Sequence, residues 1–206
     1  QSRTVHDLLA KEMHHWSNFT REKPGAIYEY SNFGAGLMGS MMEAAAGESI
    51  NQYMREQVFR PLGIDAAYSA SYLGKPEAVA CLYRDGKLFK AASKYLSEKY
   101  EDFPDPERHY RITVGDLFIR AADLAKLAAL LCGDGSYGDV RLISKESARL
   151  MRMDQRELNA SVTGKSPYGL CMNLVDNLMK DHLFFGHQGM STGAMCNVYY
   201  DPQTQF

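Results

Sequence analysis

The order of its secondary-structure patterns constrains the fold of this chain more than any other feature of the sequence. Segments with helical spacing of apolar residues come first, whereas short aromatic and β-branched runs typical of strands dominate the last part. A chain of 206 residues, 45% of them hydrophobic, can bury a substantial core as one domain. We therefore predict an α/β (α+β) fold in a single domain over 1–206. A mostly helical region covers about 1–165, and part of an antiparallel sheet, flanked by helices, covers about 166–206.

Capping signals mark the ends of most predicted helices. Thr4 and Asp7 have the spacing of a capping box, Gly47 is placed to end a helix in the left-handed conformation, and Ser144 is a candidate N-cap. Pro61 cannot donate the next helical hydrogen bond, so another helix ends before it. The predicted helices are about 4–15, 34–46, 49–59, 122–131 and 144–153.

Turn signals separate the predicted strands. Asp85-Gly86 is typical of a tight hairpin turn between strands at 79–83 and 87–89. Asp201–Thr204 has the turn chemistry that joins neighbouring antiparallel strands, so we predict that the parent protein continues beyond Phe206. The later predicted strands are about 168–174, 183–187 and 193–200, the first two joined by a turn at 176–177.

Charge and hydropathy argue against two classes of partner. A formal net charge of −2 and a pI near 6.3 give no electrostatic basis for binding a phosphate backbone, so no nucleic-acid partner is predicted. Apolar runs stay shorter than the roughly 20 residues that span a bilayer, so we predict no membrane insertion by this segment. The start at Gln1 lacks the apolar core of a signal peptide, and the compartment stays open.

Cysteine and histidine spacing indicates neither a metal site nor a cofactor. The four cysteines lie far apart in the sequence, and the histidine pairs lack a His-Glu-x-x-His helix. We therefore predict no metal ion and no cofactor, and we interpret the cysteines as buried free thiols. They are Cys81, Cys132, Cys171 and Cys196.

Two glycine-containing polar segments are candidates for chemistry. Residues 24–34 form a constrained loop that brings Tyr30, Ser31 and Asn32 directly before a helix. The ordinary interpretation is that Asn32 caps this helix and Tyr30 packs. Residues 186–193 lie between two predicted strands, where glycines let a ligand approach strand-edge amides. The ordinary interpretation here is a glycine-rich turn.

Together with the segments between them, these features resemble the penicillin-recognising serine hydrolases, which include class C β-lactamases, D-alanyl-D-alanine carboxypeptidases and related esterases. Residues 24–32 resemble the family's second motif, and 61–64 follow it with Pro-Leu-Gly-Ile. Residues 115–125 resemble the segment Gly-Gly-Leu-x-Ser-Thr-x-x-Asp-Met-Ala, and 141–147 resemble Arg-Leu-Leu-Ser-x-Glu-Ser. Residues 186–189 resemble the third motif in its His-x-Gly form. The resemblance covers nearly the whole chain and implies a β-lactamase/transpeptidase-like fold.

The resemblance implies an acyl-transfer mechanism, in which a small-molecule or peptide substrate acylates a serine and water then releases the acyl group. Tyr30 would transfer a proton beside the nucleophile, a role that requires neighbouring cations to favour its phenolate. Asn32 would hydrogen-bond the substrate amide, and His187, in the same cleft, would bind a substrate carboxylate or support proton transfer. The backbone N–H of Met190 would form half of an oxyanion hole. The implied site residues are catalytic Tyr30, Asn32 and His187, and substrate-binding Ser31, Gly189 and Met190.

The nucleophile motif of the family does not occur in this sequence. Family members carry a Ser-x-x-Lys helix upstream of the Tyr-Ser-Asn loop, and no Ser-x-x-Lys is found from Gln1 to Phe206. Thr20–Lys23 comes closest to the pattern, but it falls in a predicted loop that lacks helical spacing. We therefore predict that the chain is truncated at both ends. The parent protein would be the serine hydrolase, with a cell-envelope or secreted location fitting the family, and this fragment would be inactive.

The third motif carries histidine where many β-lactamases carry lysine. An imidazole with the ordinary pKa of about 6.5 is mostly neutral at pH 7, so His187 offers no permanent cation to a substrate carboxylate. This difference favours peptidase or esterase activity over efficient β-lactam hydrolysis.

Two other functions compete with this interpretation. Gly189–Gly193 fits Gly-x-Ser-x-Gly, the nucleophile turn of α/β-hydrolases, but that turn leads into a helix and here a predicted strand follows. The other alternative is a non-catalytic binding or sensor protein that retains the penicillin-binding fold. A Ser-x-x-Lys motif upstream of Gln1 would favour the enzyme over the sensor.

Overall fold

The computed structural model describes residues 19–97, 112–158 and 167–205. The helix predicted over 4–15 lies outside these described residues. None of the helices in these residues combines the length with the hydropathy that spanning a bilayer requires.

The chain divides by its internal contacts into two compact units, which are described in turn. Unit 1 contains Tyr30–Arg120 together with the chain up to Arg21, and unit 2 contains Glu22–Glu29 together with Ala121–Phe206. The helices and strands of unit 1 are α1 (Asn32–Ala46), α2 (Ile50–Met54), β1 (Ala66–Ala67), β2 (Leu82–Arg84), β3 (Lys87–Lys90), α3 (Ala92–Ser97), α4 (Ile112–Gly115) and β4 (Phe118–Ile119).

Helix α1 is bounded by a cap at each end. Ser31 is extended, and its Oγ accepts a hydrogen bond from Gly34 N at 2.9 Å. Gly47 has a φ of 72° and donates its backbone N–H to Glu43 O, which ends the helix in the left-handed conformation favoured by glycine. The predicted helix over 34–46 is confirmed, with an earlier start.

Helix α1 buries its small residues rather than its methionines. Gly39 packs so closely on α4 that a Cβ at this position would lie 2.5 Å from side-chain atoms of Thr113. Thr113 Oγ1 donates a hydrogen bond to Ala35 O at 3.0 Å and holds the two helices together. Met38 and Met41 are 58% and 63% exposed. The face that α1 buries is therefore the one whose small residues allow close helix contact, and not the one with the larger apolar side chains.

Helix α2 continues directly into a π-helical turn. Ser49 caps its first turn, and Ile50 N donates a hydrogen bond to the buried Glu43 Oε1 at 2.8 Å, which ties the start of α2 to α1. The π-helical turn spans Arg55–Phe59. The helix predicted over 49–59 is confirmed, and the wider π geometry at its end is a new finding.

The strands of unit 1 form two small antiparallel pairs. Strand β1 pairs with β4, and β2 pairs with β3. Asp85 and Gly86, between β2 and β3, have φ angles of 50° and 74°, as a type I′ turn requires. The predicted hairpin turn is confirmed, but the strand predicted over 79–83 is shorter at its start, since β2 begins at Leu82.

Unit 2 combines helices with a three-stranded antiparallel sheet, in which β7 (Asn173–Val175), β8 (Phe184–Ser191) and β9 (Ala194–Tyr200) are neighbours in that order. Ser144 Oγ accepts a hydrogen bond from Ser147 N at 3.0 Å and caps the helix that follows. The bounds of the helices confirm the two predicted over 122–131 and 144–153. The helices and strands of unit 2 are α5 (Ala121–Cys132), β5 (Ser136–Tyr137), β6 (Val140–Arg141), α6 (Lys145–Arg152), α7 (Gln155–Leu158), β7 (Asn173–Val175), β8 (Phe184–Ser191) and β9 (Ala194–Tyr200).

The core of unit 2 lies between its sheet and its helices. Phe185 on β8 is opposite Tyr200 on β9, and both pack with Met172. Partly buried apolar residues surround this cluster, namely Ala128, Leu131, Met151 and Leu174. Helices combined with small antiparallel sheets are the fold class predicted from the sequence.

The strand predicted over 168–174 is shorter in the structure. The chain turns between Tyr168 and Asn173, which face each other across an isolated bridge, and Cys171 in this turn has a φ of 57°. A left-handed residue interrupts extended backbone. The first part of the predicted strand over 168–174 is therefore wrong, and β7 retains its end.

The interpretation of the cysteines as buried thiols is wrong for those whose side chains are described. Cys171 and Cys196 are exposed and Cys81 is half-buried, and all three are free thiols. Cys171 lies in a surface turn, and Cys196 lies in the half of β9 nearer the exposed end of the hairpin, beyond the core of unit 2. The Cys132 side chain is outside the described part of the chain.

The buried carboxylate of Asp201 stabilises the turn that follows β9. The Asp201 side chain accepts hydrogen bonds from Thr204 Oγ1 at 2.7 Å and Gln203 N at 2.8 Å, and its Oδ2 lies 2.7 Å from His182 Nδ1. The Thr204 hydroxyl, the His182 ring and the Gln203 amide lower the pKa of Asp201 from 3.8 to about 2. The predicted turn after β9 is thus held by the ionised carboxylate.

We expect Asp201→Asn to lower the melting temperature of unit 2 at neutral pH and to flatten its acid dependence. Because the pKa of Asp201 is depressed in the folded chain, its stabilisation is complete above about pH 5 and is lost as the pH falls toward about 2. Circular dichroism melts of the wild type and the variant should differ most at neutral pH and converge at low pH. Parallel curves across this range would contradict the assignment.

Candidate active site

The loop before α1 begins with a tight turn. Ala26 N donates a hydrogen bond to Lys23 O at 3.0 Å, and Gly25 within this turn has a φ of 82°, which favours glycine. Pro24 fixes the preceding backbone. Pro24 and Gly25 therefore form the tight turn at the start of the second motif.

Tyr30 presents its hydroxyl at the surface of unit 1. Its side chain is 57% exposed, and its OH donates a hydrogen bond to Asn32 Oδ1 at 3.0 Å. Ser31, not Asn32, caps α1. The ordinary interpretation, a packed Tyr30 and a capping Asn32, is therefore wrong on both points. The cap by Ser31 fixes the backbone at the start of α1 and leaves the phenol and the amide as a hydrogen-bonded pair.

An aromatic stack holds the loop that leads to Tyr30. The rings of Tyr28 and Tyr168 lie with centroids 4.4 Å apart and planes at 27°, both within unit 2. Tyr168 is itself fixed, because its backbone oxygen accepts a hydrogen bond from Gln155 N at 2.9 Å. The sequence analysis missed this contact, since nothing local to either tyrosine indicates a partner so far along the chain.

We expect Tyr168→Ala to release this loop, whereas Tyr168→Phe keeps the stack. An aromatic pair contributes about 0.5–1.5 kcal/mol beyond its buried area, so chymotryptic cleavage after Tyr28 should accelerate by about 2- to 10-fold in the alanine variant. Cleavage after Tyr83, which is 56% exposed on the β2–β3 hairpin, serves as the internal reference. Equal rates after Tyr28 in both variants would show that the stack does not restrain the loop.

The third motif lies within a strand. His187, Gly189 and Met190 all belong to β8, which turns into β9 through a hairpin where Gly193 has a φ of 78°. The ordinary interpretation of this segment as a glycine-rich turn is therefore wrong except at its end. His187 is half-buried opposite Val198, whereas the Met190 side chain is 83% exposed.

Half of β8 has one backbone edge outside the sheet. Strand β7 pairs with β8 as far as Gly186, and from His187 to Ser191 the pairing within residues 167–205 is with β9 alone. An edge of this kind offers backbone N–H and C=O groups to an extended ligand, as in β-strand addition. The strand edge that the sequence analysis assigned to the third motif is therefore present.

Gly186 immediately precedes this edge at a position with no room for a side chain. A Cβ on Gly186 would overlap the Val198 carbonyl oxygen and lie 2.8 Å from Tyr199 Cα, both on β9. Such contacts are with backbone atoms, which cannot rotate away. The glycine therefore allows β8 and β9 to approach each other directly beside His187.

The geometry of Ser191 excludes the α/β-hydrolase alternative. Ser191 pairs with Ala194 across the hairpin, and β9 follows directly. A nucleophile turn of that family needs a helix after the serine. Gly189–Gly193 thus matches Gly-x-Ser-x-Gly in letters without its strand-turn-helix context.

The structure brings the site residues together within each unit. Unit 1 holds Tyr30, Ser31 and Asn32 at the start of α1, and unit 2 holds His187, Gly189 and Met190 on β8. No group of three or more His, Cys, Asp and Glu side chains that could hold a metal ion occurs in the described ranges.

Curated relatives match a large part of the chain. The putative D-alanyl-D-alanine carboxypeptidase of Escherichia coli strain K12 is 24% identical over 145 residues, covering 66% of this chain and 33% of its own length. Penicillin-binding protein 4 of Amycolatopsis lactamdurans is 26% identical over 136 residues, covering 63% of this chain and 32% of its own length. This chain spans about a third of the length of these relatives.

Solved structures share the fold. The octameric penicillin-binding protein homologue of Pyrococcus abyssi aligns with a TM-score of 0.63 at 21% identity, covering 89% of this chain and 38% of that one. A D-stereospecific amidohydrolase from Streptomyces aligns with a TM-score of 0.60 at 20% identity, covering 88% and 48%.

The family model named Beta-lactamase matches residues 4–206, which is nearly the whole chain. This chain therefore belongs to the beta-lactamase family of penicillin-recognising serine hydrolases.

Proposed function

We propose that this chain is part of a serine hydrolase that cleaves a peptide, ester or lactam through an acyl-enzyme, with the nucleophilic serine supplied from outside these 206 residues. The observation that carries the proposal is the exposed Tyr30 hydroxyl, hydrogen-bonded to Asn32 at the start of α1. A phenol in that position is available for proton transfer, and an amide beside it is available to a substrate.

Each residue has a defined task in this reaction. In its phenolate form, the Tyr30 oxygen accepts the proton of the serine as the acyl bond forms, and the resulting phenol returns that proton to the leaving group. Asn32 donates its amide N–H to the substrate carbonyl, and Ser31 supports both neighbours by capping α1. The N–H of Met190, on the half of β8 without β7, donates to the developing oxyanion.

His187 favours a peptide or ester over a lactam. His187 belongs to β8 and stands where a lysine would supply a permanent positive charge for a substrate carboxylate, a charge that histidine does not carry permanently. The names of the relatives agree with this choice, since one is a putative D-alanyl-D-alanine carboxypeptidase and one structural neighbour is a D-stereospecific amidohydrolase. We therefore propose small amides or esters with a D-configured residue as the first substrates to test.

The test compares the longest polypeptide encoded around this sequence with the 206-residue chain. Both are assayed with a D-alanyl-D-alanine peptide, a p-nitrophenyl ester and a chromogenic cephalosporin. We expect turnover of the peptide or the ester by the longer polypeptide and none by the shorter chain. If the longer polypeptide binds these compounds without turning any over, the non-catalytic binding or sensor protein is the better account.

A further inference from the structure

The β8–β9 hairpin carries two methionines near its tip. Met190 on β8 is directly opposite Met195 on β9, and their side chains are 83% and 81% exposed. Residues directly opposite in antiparallel strands have their side chains on the same face, with Cβ atoms about 5 Å apart. The hairpin therefore presents two large apolar side chains next to each other in solvent, which we call the methionine pair.

The methionine pair adjoins the candidate site. Met190 is the residue whose backbone N–H is assigned to the oxyanion, so the donor and the thioether side chain belong to one residue. From His187 to Ser191, the pairing of β8 within residues 167–205 is with β9 alone, which leaves one edge to an extended ligand. We propose, on the basis of the acyl transfer proposed above, that the methionine pair binds an apolar side chain in the acyl part of the substrate.

The alternation of side chains along a strand determines which part of the substrate contacts the pair. Successive side chains of an extended ligand point to opposite faces of the sheet that it joins. On one face of β8, Gly189 has no side chain, whereas on the other face Met190 supplies a long one. Met195 lies one strand further from the free edge and extends the apolar surface behind Met190. One substrate side chain in two therefore contacts the pair.

The residues next to the pair on the same face are polar. Gln188 and Asn197 are directly opposite each other, two residues along the strands from the methionines, and both are exposed. Thr192 lies in the hairpin turn beyond the pair. Isolated exposed methionines are ordinary on protein surfaces, so position and not exposure alone distinguishes this pair. Its apolar surface has the extent of a contact with one side chain.

The chemistry of methionine indicates what this contact selects. The thioether is polarizable and its unbranched chain has three rotatable bonds, so it adapts to apolar groups of different shape. Each methylene that a ligand removes from water strengthens binding by about fourfold, whereas a polar group loses its hydration there without gaining a hydrogen bond. The pair therefore selects for apolar character more than for shape.

The experiment compares N-acetyl-D-leucine ethyl ester with N-acetyl-D-asparagine ethyl ester as substrates of the longest polypeptide encoded around this sequence. The two side chains have similar volumes and differ in polarity. We expect kcat/KM to favour the leucyl ester by about tenfold or more. Met190→Gln should bring this ratio close to one, and Met195→Gln should lower it by a smaller factor. Met190→Leu, which remains apolar, should retain the preference.

Met179→Gln is the matched control. Met179 is a 50% exposed methionine of the same unit, in the connection between β7 and β8. Its substitution should leave the ratio of the two esters at the wild-type value. If both esters are turned over and Met190→Gln leaves the ratio unchanged, the methionine subsite is wrong while the acyl transfer stands. An equal fall in the Met179 variant would also overturn the subsite. Circular dichroism of each variant checks the fold.

A second measurement detects the contact without turnover. Methyl NMR spectra of the same polypeptide, isotope-labelled at methionine, are recorded with N-acetyl-D-leucinamide or N-acetyl-D-asparaginamide at up to about 10 mM. We expect only the leucinamide to shift the Met190 and Met195 signals, which the glutamine variants identify by their loss. Shifts with neither amide, or equal shifts with both, would overturn the subsite. If only the leucinamide shifts these signals and neither ester is hydrolysed, the apolar contact is supported and the acyl transfer fails.

Discussion

Gly186→Ala should destabilise unit 2 by about 3 kcal/mol or more, the largest effect on stability that we expect from a single added methyl group here. The added Cβ would overlap the Val198 carbonyl oxygen, and relief requires β8 and β9 to separate. Because His187 is the next residue, the same movement would displace the third motif. The measurement is urea unfolding followed by circular dichroism.

Gly189→Ala is the matched control on the same strand. There the added Cβ would lie 2.9 Å from Cys196 Sγ, the end of an exposed side chain that can rotate away. We expect a loss below about 1 kcal/mol, since alanine also suits a strand better than glycine. Equal unfolding midpoints for the two variants would contradict the backbone contact inferred at Gly186.

Under the proposed acyl transfer, Tyr30→Phe should reduce kcat/KM of the longest polypeptide encoded around this sequence by about 10²- to 10⁴-fold, the usual contribution of a positioned proton-transfer group. The substitution removes the hydroxyl that donates to Asn32 Oδ1 and retains the ring. Because the side chain is exposed, stability should change little. The expected signature is therefore a loss of activity in a protein with an unchanged melting temperature.

Tyr83→Phe provides the matched control for this experiment. Tyr83 is 56% exposed, compared with 57% for Tyr30, and lies on the β2–β3 hairpin of the same unit. Removing its hydroxyl should leave kcat/KM unchanged. If both variants retain wild-type activity, Tyr30 does not transfer the proton and the proposed role must be withdrawn.

The features that could be predicted from the sequence are those fixed by neighbouring residues. Gly47 ends α1, Asp85-Gly86 forms the β2–β3 turn and Ser144 caps α6, because each rule concerns a few adjacent backbone groups. The same local rules leave choices open where two residues have the same chemistry. Ser31 and Asn32 are both good N-cap residues. In the structure Ser31 is the cap, and Asn32 Oδ1 instead accepts a hydrogen bond from the Tyr30 hydroxyl.

Features that depend on distant contacts could not be predicted. The Tyr28–Tyr168 stack joins residues far apart in the sequence, and the exposure of Met38 follows from the close contact of Gly39 with α4. The π-helical turn that continues α2 has no capping signature in the sequence. For the site itself, the motifs predict the candidate residues, whereas the position of the third motif within β8 depends on pairing with a later strand.

The most direct test of the proposed acyl transfer is to map a covalent label. The longest polypeptide encoded around this sequence is treated with a fluorescent penicillin or a fluorophosphonate, digested and analysed by mass spectrometry. We predict a single labelled serine, within a Ser-x-x-Lys sequence upstream of Gln1, with labelling slowed in the Tyr30→Phe variant. A label on Ser31, Ser191 or any other serine of these 206 residues would contradict the account.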